Sequence, residues 1–266
     1  MIAAWAAALV VGVVATSVAS RRAVGAALRT TDGLGVSPAL VGLTVMAIGT
    51  DLPEIANSLV SSAGGHGDVS VGDSMGSALT QITLILGLLC LGGRMISADR
   101  GVVLTVGAAT VVAVASVRLL AGDGELTRLD GAILGALWIG GTALFSRGEL
   151  RSREVDDRER PPGLGGDLLR TIGWLAVVGT SAVIVVESFL RLAASLGVQE
   201  FVGSFVALSI GTSLPELFVD WTAIRRGASS LAIGDIFGSS FVDSTLAVGI
   251  GPAVFSVAVS SDVLIG

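Results

Sequence analysis

The chain of 266 residues has no lysine and no tyrosine, one cysteine, one histidine and six prolines, and only 14% of it is charged. The single Cys90 cannot form an internal disulfide, and its place in an apolar run reads as a small core residue rather than as redox chemistry. All 16 basic residues are arginine, and none of their groupings suggests a nucleic-acid partner. Charge this sparse, beside 52% hydrophobic residues and a mean hydropathy of +0.84, excludes an ordinary soluble domain. The formal net charge of -6 comes partly from acids inside apolar segments, so it does not argue for a basic partner.

What the chain has instead is a series of apolar stretches, each near the ~20 residues that carry a helix across ~30 Å of hydrocarbon. They read as eight helical spans, at 2–20, 36–63, 69–93, 101–121, 131–146, 168–192, 200–224 and 229–257. The expected class is an all-α polytopic membrane protein with the lipid bilayer as its first partner. The first span opens Met-Ile-Ala-Ala-Trp with no basic residue, so it reads as a retained span rather than a signal peptide. With this count, alternate loops sort the arginines unevenly. Arg21, Arg22, Arg29, Arg94, Arg100, Arg147, Arg151, Arg153, Arg158, Arg160, Arg170, Arg225 and Arg226 fall on one side, and Arg118, Arg128 and Arg191 on the other. The positive-inside rule makes the first side cytoplasmic and places the N-terminus outside the plasma membrane. Trp5, Trp138, Trp174 and Trp221 read as interfacial anchors, and His66 as a solvated loop residue.

The one long polar stretch, Ser146 to Asp167 with Pro161-Pro162, divides the chain into 1–146 and 168–266, with 147–167 as a cytoplasmic linker. The halves repeat each other without gaps at an offset of 162 residues. Ala47-Ile-Gly-Thr-Asp-Leu-Pro-Glu54 answers to Ser209-Ile-Gly-Thr-Ser-Leu-Pro-Glu216, and Gly72-Asp-Ser-Met-Gly-Ser77 to Gly234-Asp-Ile-Phe-Gly-Ser239. Gln81 answers to Asp243, and 14 of the 41 positions from Ala47 to Gly87 are identical to their partners. The repeated units cover about 41–91 and 203–253. An odd number of spans separates the two copies, so they cross the membrane in opposite directions. Inverted repeats of this kind build many secondary transporters, with the site at their interface near the midplane.

The chain has no arginine between Arg29 and Arg94, between Arg191 and Arg225, or after Arg226. These segments nonetheless hold Asp51, Glu54, Asp73, Glu216, Asp220, Asp235 and Asp243. A carboxylate near the bilayer centre costs at least ~2.5 kcal/mol, and no basic residue nearby in sequence can neutralise this set. Bound cations, protons or both are what remain. Each Gly-Thr-x-Leu-Pro-Glu also breaks its own helix, because proline removes a backbone donor, and carbonyls freed at membrane depth can coordinate a cation. Ca2+ takes roughly 6 to 8 oxygens at about 2.4 Å, which two opposed glutamates with carbonyls and waters would supply. The hydroxyls of Thr50, Thr212, Ser213, Ser77 and Ser239 suit Na+.

Blander readings stand beside these. Serine and threonine in membrane helices often bond only their own backbone, Gly72-x-x-x-Gly76 suits close helix packing, and Asp73, Asp235 and Asp51 could each cap a helix. Asp220, four residues after Glu216, shares its face or reaches the cytoplasmic end. Glu54 and Glu216, repeated intramembrane acids beside helix breaks, have no such reading.

At these motifs the sequence resembles the cation/Ca2+ exchanger superfamily, most closely its Na+/Ca2+ exchanger branch, whose two alpha-repeats each carry a Gly-Thr-Ser-x-Pro-Glu helix and a Gly-Asn/Asp-x-x-Gly-Ser-Asn-x-Phe-Asn/Asp helix. The resemblance implies Ca2+ at Glu54 and Glu216. It also implies Na+ sites using Thr50, Ser77, Thr212, Ser213, Ser239 and the carbonyls of Ala47 and Ser209, with Asp243 and Gln81 at the last polar position of each repeat. Ca2+ and Na+ would be transported ions, with no organic cofactor and no enzymatic reaction. Family members have ten spans against the eight counted here, so the last pair, which does not line the site, is expected to be missing. Three departures stand out: Asp51 where the family has serine; Ala78, Thr80 and Gln81 for Asn, Phe and Asn; and Ser240 for Asn. Asp51 adds a charge to an expected Na+ position and keeps Ca2+/H+ exchange as the alternative. A passive cation channel could use the same oxygens. An intramembrane aspartyl protease, which also buries two acids, lacks its Tyr-Asp pair in a chain without tyrosine.

Overall fold

In a computed structural model of the protein, residues 2–92, 99–152, 164–195 and 213–260 are described. The helices are α1 (Ile2–Leu34), α2 (Pro38–Thr50), α3 (Leu52–Ala63), α4 (Gly67–Leu91), α5 (Arg100–Leu120), α6 (Arg128–Ser152), α7 (Leu164–Ser195), α8 (Leu214–Arg225) and α9 (Ser229–Val254). The strands β1 (Glu125–Leu126) and β2 (Val257–Ala258) form one short antiparallel pair at a helix end. Among the described residues, six helices are long and apolar enough to cross a membrane, and α2 with α3, bent by 45°, makes a seventh when the bent pair is counted as one span. The expected span at 200–224 is represented by α8, its earlier part lying outside the described residues. The linker from residue 153 to 163 lies outside them as well.

Polarity is distributed as hydrocarbon solvent requires. Val11, Leu104 and Leu119 are 65%, 71% and 79% exposed, whereas Asp51, Glu54 and Asp243 are each 0% exposed. Carboxylates are held inside and apolar side chains face outward, the inverse of a water-soluble fold and what a hydrocarbon solvent requires.

The repeat predicted at an offset of 162 residues is visible element by element. α3 and α8 are each 12 residues long and start 162 positions apart, as do α1 and α7. The turn after α3 has Gly65 at φ 75°, and the turn after α8 has Gly227 at φ 77°, a left-handed conformation that glycine adopts without steric cost. α4 and α9 each run 14 residues before one wide π-type turn, at Gln81–Ile85 and Asp243–Ala247. Single π-turns inside helices frequently mark functional positions.

α1 and α7 pack along each other, with Thr16 Oγ1 donating to Ser181 Oγ at 2.9 Å and Arg29 Nε paired with Asp167 Oδ1 at 3.0 Å. Helix α9 is the central element, buried continuously from Leu231 to Thr245. It approaches α2 closely enough that a Cβ at Gly234 would collide with the Ala39 carbonyl, and one at Gly42 with the Leu231 carbonyl. Small residues let membrane helices approach at this range. Gly234→Ala is therefore expected to cost about 1–3 kcal/mol and to lower the melting temperature in detergent. Gly140→Ala, where a Cβ meets nothing within 4 Å among the described residues, should leave it unchanged.

Two expectations need correction. The first helix does not end at residue 20. It continues to Leu34, so Arg21, Arg22 and Arg29 sit on a helix rather than in a loop. Residues 21–34 contain no proline, and their inward face, including Ala23, Val24 and Ala27, is buried. Charge ended the predicted span, but arginines on the outer side of a helix end do not end the helix. Cys90 is exposed on the outer surface rather than buried in the core, because an apolar residue in a membrane helix is equally well solvated by lipid. Three tryptophans lie against arginines: the Arg22, Arg191 and Arg225 guanidinium carbons are 4.8, 5.7 and 5.6 Å from the ring centroids of Trp174, Trp5 and Trp221. His66 is exposed in the turn before α4.

Candidate cation site

The site begins with the break between α2 and α3. Pro53 cannot donate to the carbonyl four residues earlier, and the chain turns at Asp51 (φ -80°, ψ 7°). Ser213 takes the same conformation (φ -86°, ψ 7°) ahead of Pro215. Each break starts a new helix with its glutamate in the first turn, Glu54 in α3 and Glu216 in α8. The amide-rich helix start favours negative charge there.

The two breaks meet. One carboxylate oxygen from each of Asp51, Glu54 and Glu216 lies within 4.8 Å of the others, the largest separation two oxygens can have while each touches one Ca2+ at about 2.4 Å. All three residues are at most 1% exposed. Both oxygens of Asp51, both of Glu216, Oε2 of Glu54 and Oδ1 of Asp243 have no hydrogen-bond partner among the described residues. Buried carboxylates without donors or cations are strongly destabilising, so this cluster is built to be completed by a positive charge.

Polar side chains from both repeats surround it. Ser77 Oγ donates to Glu54 Oε1 at 3.2 Å and lies 3.1 Å from Ser213 Oγ, while Thr50 Oγ1 lies 3.3 Å from Ser239 Oγ. Gln81 and Asp243, the residues that open the two π-turns, bond one another directly, with Gln81 Nε2 donating to Asp243 Oδ2 at 3.2 Å. Repeat-equivalent residues can touch only near the axis that relates the repeats, so this contact marks the centre of the molecule.

Of the expected ligands, Thr50, Asp51, Glu54, Ser77, Gln81, Ser213, Glu216, Ser239 and Asp243 are thus gathered in one buried region. Thr212 and Ser209 lie outside the described residues. The Ala47 carbonyl accepts the Asp51 amide at 3.0 Å and the Thr50 hydroxyl at 3.2 Å, so it is occupied by the helix turn itself. The capping readings do not hold. Asp51 makes no capping hydrogen bond with its side chain, and Asp73 and Asp235 lie within α4 and α9 rather than at their starts.

Sequence reasoning left Ser240 out of the site. Its Oγ donates to Gln81 Oε1 at 3.0 Å, tying the amide whose other end holds Asp243. The available signal was its position in the second motif, where it replaces asparagine.

An inverted-repeat bundle that buries unpaired carboxylates from both repeats at one point defines a membrane cation transporter. The family described as sodium/calcium exchanger protein matches residues 4–147 and 168–265, and the chain belongs to it. It is 30% identical over 258 residues to the inner membrane protein YrbG of Escherichia coli, covering 93% of this chain and 79% of that one. To the sodium/calcium exchanger MaX1 of Methanosarcina acetivorans it is 26% identical, covering 85% and 76%. The solved structure of the sodium-calcium exchanger NCX_Mj soaked with 2.5 mM Na+ and 10 mM Sr2+ superposes with a TM-score of 0.83 at 26% identity, over 100% of this chain and 87% of that one. The family is one of transporters, not of enzymes.

Proposed function

We propose that the protein exchanges Ca2+ for Na+ by alternating access, with Ca2+ held between Glu54 and Glu216. The observation that carries this reading is the meeting of three buried carboxylates, drawn from both repeats, within 4.8 Å. A hard divalent cation is the natural occupant of carboxylate oxygens. Thr50, Ser77, Ser213 and Ser239, which pair across the repeats at 3.1 to 3.3 Å, are neutral oxygens suited to Na+, together with Thr212 and the carbonyl of Ser209. Gln81 and Asp243 close the site on the axis. MaX1, a relative, carries the name sodium/calcium exchanger, which agrees with this ion pair.

Ca2+/H+ exchange is the second reading, favoured by Asp51: a third carboxylate in the cluster offers a proton a place. Ca2+ uptake into proteoliposomes separates the two. An outward Na+ gradient should drive uptake at constant pH, and a pH gradient without Na+ should not. Uptake driven by the pH gradient alone would transfer the assignment to proton exchange, and uptake needing neither gradient would make the protein a channel.

The 13 arginines on one side against 3 on the other support an orientation in the plasma membrane with the N-terminus outside and 147–167 in the cytoplasm. A protease site inserted near Asp156 should be cut in inverted vesicles and spared in intact cells. The opposite pattern reverses the topology.

A further inference from the structure

One helical turn beyond Glu54, the first repeat satisfies its polar groups. Asp73 accepts from Asn57 Nδ2 at 2.6 Å, and Ser58 from Ser70 Oγ at 3.0 Å. The residues 162 positions on are Asp235 for Asp73, Asp220 for Ser58, Val219 for Asn57 and Ala232 for Ser70. The second repeat has therefore exchanged both donors for apolar side chains and the hydroxyl for a second carboxylate. Asp220 on α8 and Asp235 on α9 are near enough to interact electrostatically, are 0% and 1% exposed, and no donor among the described residues is bonded to any of their four oxygens. Val219, Leu231, Ala232 and Ile236, which flank them in sequence, belong to the apolar core.

Asp51 connects this pair to the central cluster. It lies within 4.8 Å of Glu54 and Glu216 and close enough to Asp220 and Asp235 to interact with both. Its own two oxygens have no hydrogen-bond partner within bonding geometry among the described residues. Asp220 follows Glu216 by one turn of α8, roughly 6 Å along the axis, toward the end that carries Arg225 and Arg226.

We propose that Asp220 and Asp235 form a second divalent-cation site, one helical turn on the arginine-rich side of the central carboxylates. Two carboxylates without donors in an apolar shell carry two negative charges, which one divalent ion balances with the same oxygen chemistry as the neighbouring site. The site is a resting place for an ion between the centre and the cytoplasmic face, and its ion is identified as Ca2+ on the strength of the exchange proposed above.

Equilibrium binding of 45Ca2+ to the purified full chain in lipid nanodiscs tests this. Wild type should bind two ions at saturation and Asp220→Asn one. Asp220→Ser, which installs the residue that the first repeat carries at Ser58, should also bind one and serves as the variant the fold already accommodates. Glu54→Gln should lose the central ion and keep the other. One ion in the wild type, unchanged by Asp220→Ser, overturns the second site and leaves the central one standing. An infrared carboxylic-acid band that vanishes in Asp220→Ser with Ca2+ stoichiometry unchanged overturns it too, since the pair then holds a proton. A single ion lost in Asp220→Ser and kept in Glu54→Gln supports this site and removes the central assignment instead.

Discussion

Replacing Glu54 or Glu216 by glutamine is expected to abolish Ca2+ transport while leaving an inserted, folded protein. Glutamine keeps the shape and one carbonyl oxygen but removes a charge from a cluster in which each glutamate supplies both charge and oxygen to one ion. Removing one partner from a buried charge pairing costs about 3–5 kcal/mol, or two to three and a half orders of magnitude in affinity at ~1.4 kcal/mol per decade. Folding should survive because the empty cluster becomes less crowded: two carboxylates remain within 4.8 Å instead of three. Uptake by proteoliposomes, with size-exclusion profiles as the folding control, measures both. Wild-type uptake by either variant would remove that glutamate from the transport site.

Asp51→Ser carries the second large effect. Asp51 is 0% exposed, caps nothing with its side chain and adjoins both glutamates, so three like charges meet in a low-dielectric site. They cannot all be ionised without a cation. If a proton fills that role, Ca2+ has to displace it. Wild-type uptake then rises with pH as the shared proton leaves, and Asp51→Ser flattens the curve while preserving or strengthening Na+ coupling. If an extra cation fills it, Asp51→Ser lowers the Na+ stoichiometry or the Ca2+ affinity and leaves the pH profile alone. Ca2+ flux measured against pH and against Na+ for both proteins distinguishes these, and identical curves in both variables would assign Asp51 no part in transport.

The repeat was legible because it is written in residues that cannot easily be replaced. Proline breaks a helix, glycine allows a left-handed turn and an intramembrane glutamate needs a counter-ion, so Pro53 and Pro215, Gly65 and Gly227, and Glu54 and Glu216 align at one offset in sequence and again in space. The bond between Gln81 and Asp243 was not legible. Nothing in either segment says that equivalent residues lie close enough to the axis to touch, and the π-turns that aim them have no sequence signature here. Asp220 was legible as a residue on the face of Glu216, but its pairing with Asp235 depends on how α8 packs on α9. The length of α1 was misread because arginine marks where a span meets water, not where a helix stops.

A crystal of the full chain soaked in Sr2+, with the strontium located by its anomalous signal, tests the central claim most directly. The account predicts a peak between Glu54 and Glu216, with carboxylate oxygens of both residues at roughly 2.6 Å, and the loss of that peak in Glu216→Gln. Strontium bound elsewhere in the membrane region, with no peak between these two glutamates, would contradict it.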